Sequence, residues 1–163
     1  MPLNLLQQYN ALLDIDALEE PERIDSLMGI FKRDFVEHTN RFRQKIILPT
    51  LQDGKLTLKT LFEHLITTAE NKSLHRVYDP ERARRLHWIR FHLAEKNSQT
   101  LYVFSVQDKK AIRTYLYDYW ESYVIVLEPR GKNRYYLLTA YYVKGRNRNK
   151  IWKKWCRKLS SVY

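Results

Sequence analysis

The chain contains 163 residues, of which 44% are hydrophobic, and this is enough to close one hydrophobic core. Its single cysteine, Cys156, excludes an internal disulfide, and its apolar runs are shorter than the roughly 18 residues that a membrane-spanning helix needs. The first residues also lack the charged segment that opens a secretory signal. We therefore expect a soluble, cytoplasmic protein with no cofactor, no metal site and no membrane partner.

The net charge of +11 is concentrated in the second half of the chain. Residues 1–79 contain 10 Lys and Arg against 12 Asp and Glu, whereas residues 80–163 contain 19 against 6. Ten of the twelve tyrosines and all four tryptophans also lie after residue 79. Interleaved cations and rings are typical of a surface for phosphates and unpaired bases, and the alternative is a basic face that only keeps the protein in solution.

The first half of the chain predicts helices. Leucines between residues 3 and 13 indicate a short helix followed by an acidic loop, and apolar residues three and four apart predict an amphipathic helix over 22–43. Lys45–Pro49 and the turn after it are predicted to connect this helix to another over 58–66. His64 lies beside the apolar stripe of that helix, so a packed histidine is expected in preference to a catalytic one.

A further helix is predicted over 80–95. The side chain of Asp79 can accept hydrogen bonds from the main-chain N–H groups at the start of this helix. Pro80 follows it, and the N–H group that proline lacks would have no acceptor within the helix at this position. Arg84, His87 and Arg90 are three residues apart along one flank of this helix. The spacing therefore places His87 between two guanidinium groups.

Alternation of apolar and polar residues then predicts four antiparallel strands, over 101–106, 112–117, 123–128 and 135–143. The period of two places Arg113, Tyr115 and Tyr117 on one face of the second strand. In the fourth strand it places Tyr135, Leu137, Thr139, Tyr141 and Val143 on one face. A basic helix over 145–160 follows. The predicted class is α+β, with N-terminal helices, a four- to five-stranded antiparallel sheet and a basic C-terminal helix.

The residues of the second half suit one metal-independent reaction. The sequence has no phosphate-binding glycine loop, no cluster at metal-ligand spacing and no nucleophile elbow. Histidine, arginine, tyrosine and threonine suffice for attack of an RNA 2′-hydroxyl on its adjacent phosphate. That reaction needs a proton acceptor, a proton donor and groups that stabilise negative charge.

Each candidate residue has a predicted role and an alternative. His87 is the predicted acid or base, because flanking arginines favour its neutral form, but it could instead pack beside Trp88 or cap a neighbouring carbonyl. Arg113 is predicted to stabilise the phosphate, but it could instead form a cross-strand pair with Asp118 or Glu128. The hydroxyls predicted to orient the phosphate or relay protons, which could instead serve packing, are those of Tyr115, Tyr117, Thr139 and Tyr141.

Five ordered blocks carry a family resemblance: Arg82-x-x-Arg85-Leu-His87-Trp88-Ile89, Val103-Phe-Ser105, Ile112-Arg-Thr-Tyr-Leu-Tyr-Asp118, Tyr123-Val-Ile-Val-Leu-Glu-Pro129 and Tyr136-Leu-Leu-Thr-Ala-Tyr-Tyr142. Together they resemble the phage-associated nuclease domains grouped with barnase, EndoU, colicin and RelE toxins. The resemblance implies one or two helices packed on a four- or five-stranded antiparallel sheet. It also implies a toxin-like, metal-independent endoribonuclease that cuts tRNA or mRNA and leaves a 2′,3′-cyclic phosphate.

Carried over by position, the resemblance implies site residues Arg85, His87, Arg113, Tyr115, Tyr117, Thr139 and Tyr141. The predicted RNA-binding residues are Arg84, Arg85, Arg90, Lys144, Lys150, Lys153 and Lys154. Residues 1–75 lie outside the resemblance and are predicted to be a helical segment that serves packing, inhibition or targeting. Residues 76–163 are predicted to form the nuclease domain. The alternative is that both parts make one compact unit. An acidic antitoxin or immunity protein is the implied partner.

The hypothesis of an enzyme has a geometric requirement. An imidazole from a helix and a guanidinium from the sheet, those of His87 and Arg113, must converge on one phosphate-sized hollow. The alternatives are a non-catalytic RNA- or DNA-binding module, which would use the same basic and aromatic face, and an interaction protein with an acidic partner.

Overall fold

The computed structural model describes residues 2–52, 55–71 and 75–163. In chain order its elements are α1 (Pro2–Leu5), α2 (Glu20–Phe31), β1 (Arg41–Phe42), β2 (Lys45–Pro49), β3 (Leu51–Gln52), β4 (Lys55–Leu56), α3 (Leu58–Ile66), β5 (Thr67–Ala69), β6 (Arg76–Tyr78), α4 (Pro80–Ala83), α5 (Trp88–Leu93), β7 (Leu101–Gln107), β8 (Ile112–Asp118), β9 (Tyr123–Arg130), β10 (Arg134–Tyr142) and α6 (Arg146–Cys156). A π-helical turn over Lys32–Val36 extends α2. Within the described residues, six strands form a main sheet in the order β1-β2-β10-β9-β8-β7. The α+β class is confirmed.

The four predicted strands form an antiparallel meander, from β7 to β10. Their bounds differ from the predicted ones by one or two residues. Gly131 lies in the turn between β9 and β10 with φ +61°, a conformation that a residue without a Cβ adopts at little cost. Alternation along the sequence was therefore sufficient to locate these strands.

The segment Lys45–Pro49, predicted to be a connection, is strand β2. It lies parallel to the first half of β10, with Ile46 opposite Arg134 and Pro49 opposite Leu137. β1 pairs antiparallel with the other edge of β2. The main sheet is therefore mixed and larger than the four or five antiparallel strands expected, because the five-residue segment Lys45–Pro49, four of whose residues are apolar, acquires a strand partner almost ninety positions away.

The helix predicted over 80–95 is interrupted. Asp79 caps α4 as predicted, accepting from the main-chain N of Arg82 at 3.2 Å. The carbonyl of Arg84, however, accepts from Leu13 N at 2.9 Å, and Trp88 N bonds to the Arg85 carbonyl at 2.9 Å. The N-terminal segment thus takes the acceptor that a continuous α-helix would offer to Trp88, and the chain turns before α5 begins.

The helices in the described ranges are short. The longest, α2, spans 12 residues, and α6 spans 11. Among the residues that the structure describes, no helix is both long and apolar enough to cross a membrane.

The main sheet is covered differently on its two sides. The helix face packs against α2, α3, α4 and α5, and its buried residues include Leu116, Ile125, Leu127, Leu137 and Ala140. The tail face packs against Ile151 of α6, and its buried residues include Phe104, Val106, Tyr115, Val124 and Val126. Residues before position 76, among them Leu27, Ile30 and Leu65, belong to the same buried cluster as the helix face.

Candidate functional site

A wide depression lies on the tail face, where β8, β9 and β10 approach α6. Its volume is about 600 Å³, and we call it the basic depression. Its lining includes five predicted functional residues: Arg113, Tyr115, Thr139, Tyr141 and Lys154. The other lining residues are Asp108, Lys109, Lys110, Val126, Leu138 and Arg157.

Strand register brings the centre of the depression together. Tyr115 of β8 lies opposite Val126 of β9, and Val126 lies opposite Thr139 of β10. Residues two apart on one strand share a face, so Arg113 and Tyr141 extend this row on either side. The three strands therefore present hydroxyls and a guanidinium in one patch.

A β-bulge decides which side chains of β10 reach this patch. The register shifts between Leu137 and Thr139, so Leu138 and Thr139 both line the basic depression while Leu137 and Ala140 lie in the helix-face core. The prediction that Thr139 and Tyr141 are neighbours on one face is confirmed. The prediction that Tyr135 and Leu137 share that face is wrong: both lie in the helix-face core, because the bulge inserts one residue and reverses the alternation.

Asp108 holds the α6 side of the depression in place. It lies 2.8 Å from Nζ of Lys154 and 3.1 Å from Nη2 of Arg157, and the hydroxyl of Tyr115 donates to it at 3.1 Å. Burial acts to raise the pKa of Asp108, but the hydrogen bond from Lys154 and these neighbouring groups lower it below its usual value. The carboxylate is thus an ionised anchor for two cations.

Arg113 forms the cross-strand pair that was its alternative role. Its Nη1 lies 2.8 Å from Oε2 of the buried Glu128, and Arg130 also contacts this carboxylate. The Arg113 side chain remains 25% exposed and lines the basic depression. Glu128 therefore fixes the guanidinium while leaving part of it open to a ligand.

The tyrosines of the depression are hydrogen-bond donors at neutral pH. Burial, followed by the charge of Asp108, raises the pKa of Tyr115 well above its usual value. Burial also raises the pKa of Tyr141, against the opposing charges of Arg82 and Lys154. Both phenols therefore keep their protons at pH 7.

Arg82 reaches the rim of the depression from α4. Its Nη1 donates to Oγ1 of Thr139 at 2.9 Å and to the carbonyl of His64 at 3.1 Å, and its Cζ lies 5.2 Å from the ring centroid of Tyr141. The Nε atom of Arg82 lies 3.3 Å from Oδ2 of Asp79, at an angle that does not make a hydrogen bond. Burial lowers the pKa of Arg82, and a guanidinium stays charged under these conditions. This arginine therefore orients the threonine hydroxyl.

His64 lies beside this arginine on α3. Burial, followed by the charge of Arg76, lowers the pKa of His64, while the main chain of Leu138 acts in the opposite direction. Leu138 lines the basic depression whereas His64 does not, so His64 approaches the depression only through the main chain of the bulged part of β10. An imidazole whose pKa is lowered from its ordinary value is neutral at pH 7 and can accept a proton.

His87 does not reach the basic depression. It is 5% exposed and lines another hollow, of about 790 Å³, together with Gln8, Arg33 and Asp34. Its Nε2 lies 3.3 Å from the carbonyl of Gln8, and its buried Nδ1 has no hydrogen-bond partner. The pKa of His87 is lowered, in the expected direction, but the main cause is burial and the arginine that contributes is Arg33, not the flanking Arg84 or Arg90.

The predicted convergence of His87 and Arg113 is therefore wrong. His87 lies beside Trp88, whose ring belongs to the helix-face core, whereas Arg113 lies on the tail face. Leu116 and Ile125 of the main sheet, both buried, fill the space on the helix face. The interruption before α5 turns His87 toward the N-terminal segment and away from the sheet.

The other predicted residues lie outside the basic depression. Arg84 pairs with Asp16 at 2.7 Å, and Arg85 pairs with Glu81 at 2.5 Å. Arg90 lies 3.8 Å from Asp34, and Lys144 lies 4.0 Å from Glu81. Lys150 and Lys153 are exposed on α6. Arg85 is also held against Tyr142, with its Cζ 4.2 Å from the ring centroid. Tyr117 lines a separate cleft on the tail face.

Several residues of the site were missed from the sequence. Lys109 and Lys110 occupy the turn between β7 and β8, where adjacent lysines beside a predicted strand gave some indication of a phosphate-binding loop. His64 was predicted to be a packed residue and is partly buried on α3, but helical spacing gave no indication of its contact with Arg82. Arg82 stood in the family motif, but nothing local distinguished it from the four other arginines over 76–90.

In the described ranges, no group of three or more histidine, cysteine, aspartate or glutamate side chains is placed to hold a metal ion. A scan against models of known protein families found no match. Searches against curated proteins and against solved structures also found none. The resemblance to the barnase, EndoU, colicin and RelE group therefore stays a prediction from the sequence.

Proposed function

We propose that this chain is a metal-independent endoribonuclease that cleaves RNA at the basic depression. The observation that carries the proposal is the constellation around Thr139: the guanidinium of Arg82 donates to the Thr139 hydroxyl at 2.9 Å and to the main-chain carbonyl of His64 at 3.1 Å, and burial lowers the pKa of that histidine. Proton acceptor, cation and hydroxyl thus occur together, which is what transesterification of RNA requires.

In the proposed reaction the 2′-oxygen of a ribose bonds to the adjacent phosphorus while the bond from phosphorus to the 5′-oxygen breaks. His64 takes the proton of the 2′-hydroxyl, and the phenol of Tyr141 gives a proton to the departing oxygen. The resulting phenolate is reprotonated from solvent. Arg113 and Lys154 stabilise the charge that develops on the phosphate, and Arg82 keeps Thr139 in place as a further donor.

Charge supports binding of a polyanion at this position. Five cationic side chains line the basic depression, against the single carboxylate of Asp108. Opposite charge attracts RNA and makes its affinity depend on salt. The same charge would attract an acidic inhibitory protein, the expected partner, which would block the depression by covering it.

A non-catalytic RNA- or DNA-binding module is the second candidate. It is favoured by the lining itself, which contains no histidine within the described residues, and by the pairing of Arg113 with Glu128. In this function the depression holds phosphates and leaves them intact.

Incubation of labelled tRNA and of an unstructured mRNA fragment with the protein in EDTA separates the two functions. The enzyme is expected to release fragments that end in a 2′,3′-cyclic phosphate, and His64→Gln is expected to abolish them. His87→Gln is the matched control, because this histidine lines the other hollow. Salt-sensitive binding of intact RNA would support the module and reject the enzyme. Loss of cleavage in His87→Gln alone would reject the assignment to His64.

A further inference from the structure

A second hollow on the tail face is built almost entirely from aromatic rings. It has a volume of about 90 Å³ and lies between β7, β8 and α6. We call it the aromatic cleft; its lining residues are Tyr102, Phe104, Tyr117, Tyr119, Ile151, Trp152 and Trp155.

The floor of the aromatic cleft is buried and its walls are open. Phe104 and Ile151 are 1% and 2% exposed, whereas Trp152, Tyr119 and Tyr102 are 62%, 54% and 45% exposed. Large exposed rings gathered around one hollow mark a binding surface more often than isolated ones do. The walls are therefore available to a ligand.

The rings of the cleft meet at steep angles. Tyr102 and Trp155 lie 5.1 Å apart at 70°, Phe104 and Trp155 lie 5.3 Å apart at 89°, and Tyr117 and Tyr119 lie 6.5 Å apart at 87°. Edge-to-face packing of this kind leaves ring faces uncovered, so another flat ring can stack on them in parallel. A flat ring that enters the cleft can therefore stack on at least one wall.

Cations surround this hydrophobic cleft. Nζ of Lys158 lies 4.3 Å from the ring centroid of Trp155, and Arg148 donates to the hydroxyl of Ser122, close enough to Tyr117 to act on the pKa of that phenol. Lys153 is exposed on α6, next to Trp152. The ligand that fits is flat and apolar where it stacks and is joined to negative charge.

The aromatic cleft lies next to the basic depression. The helix α6 lines both, with Trp152 and Trp155 facing the cleft and Lys154 facing the depression. Phe104 in the floor of the cleft stacks on Tyr115 in the depression at 5.4 Å and 11°. One extended ligand can therefore occupy both hollows.

We propose that the aromatic cleft binds an unpaired nucleobase of a single-stranded nucleic acid whose backbone runs through the basic depression. This proposal rests on the proposed function only in placing phosphates in the depression, and it does not need cleavage. Every base has a face that can stack, so the cleft selects single strands over duplexes without selecting one base.

The test measures affinity with an oligonucleotide that the proposed reaction cannot cut. A labelled 2′-O-methyl RNA decamer lacks the 2′-hydroxyl nucleophile, and an abasic decamer of equal length carries the same phosphates. By fluorescence anisotropy, the base-bearing decamer is expected to bind about 5- to 100-fold more tightly than the abasic one. Trp152→Ala is expected to remove most of this difference, and Trp152→Phe is expected to restore most of it.

Trp120→Ala is the matched control, because Trp120 is 75% exposed and does not line the aromatic cleft. It is expected to leave both affinities unchanged. Equal affinity for the two decamers, or a difference that survives in Trp152→Ala, would overturn the proposal. Absence of RNA cleavage alongside intact base-dependent binding would reject the ribonuclease and leave the cleft assignment standing. Binding of a Trp-containing peptide but of neither decamer would identify a protein partner and overturn it.

Discussion

The contact between Arg82 and Thr139 gives the sharpest test of how the candidate site is held together. The Arg82 side chain is 13% exposed, and its Nη1 donates to the hydroxyl of Thr139 at 2.9 Å and to the carbonyl of His64 at 3.1 Å. Hydrogen bonds to a charged group contribute about 1.5–3 kcal/mol each. Arg82→Met keeps an unbranched side chain but removes both bonds, and it also removes a buried charge whose desolvation opposes folding.

We therefore expect Arg82→Met to lower the free energy of unfolding by about 2–4 kcal/mol. This is a large part of the roughly 5–15 kcal/mol that stabilises a typical domain. Thr139→Val removes one of the same bonds. The two variants are expected to show a coupling energy of about 1–2 kcal/mol in a double-mutant cycle.

The measurement is urea unfolding of the wild-type protein, both single variants and the double variant, followed by tryptophan fluorescence. The control is Arg84→Met, because Arg84 pairs with Asp16, which is 62% exposed, and such a pair contributes no more than about 1 kcal/mol. If the effects of Arg82→Met and Thr139→Val add to within about 0.5 kcal/mol, Arg82 does not position Thr139.

Three further outcomes are expected. The rate of RNA cleavage should rise as the pH is raised through the pKa of His64, because the neutral imidazole is the active base. The pKa of His64 lies below its ordinary value, so an inflection above about pH 6.5 in the pH–rate profile would contradict this role. Lys154→Ala should reduce the slope of log affinity against log salt concentration by about 0.7, measured by fluorescence anisotropy with a single-stranded decamer. Lys150→Ala should change this slope less, because Lys150 lies outside the basic depression. Asp118→Ala should lower the free energy of unfolding, measured in urea, by about 2–4 kcal/mol. The buried carboxylate accepts from His92 at 2.9 Å and from Tyr9 at 3.0 Å, and both donors lose their partner in this variant. Asp118→Asn keeps an acceptor oxygen and should destabilise the fold less.

The structure also explains how the N-terminal segment is attached. Trp88 Nε1 donates to the carbonyl of Ala11 at 3.1 Å, and the ring of Tyr9 stacks on Phe91 at 3.8 Å. Tyr9 reaches Asp118 at the end of β8 as well. These contacts pack the N-terminal segment against α5 and the end of β8.

The sequence by itself determined the parts of the fold that depend on local pattern. Alternation located β7, β8, β9 and β10, and helical spacing located α3 and α6. Each of these patterns lies within about ten residues and is set by which faces of one element are buried. Their prediction therefore did not require knowledge of any distant contact.

The tertiary structure alone decided which residues make up the candidate site. The bulge at Leu138, the pairing of β2 with β10 and the turn that carries His87 toward Gln8 each depend on a partner far away in the sequence. Both histidines stood beside apolar stripes of predicted helices, so spacing could not show that His64 borders the sheet and His87 does not. A side chain's position along its own element is encoded locally, but the group that it meets is set by the packing of that element against others.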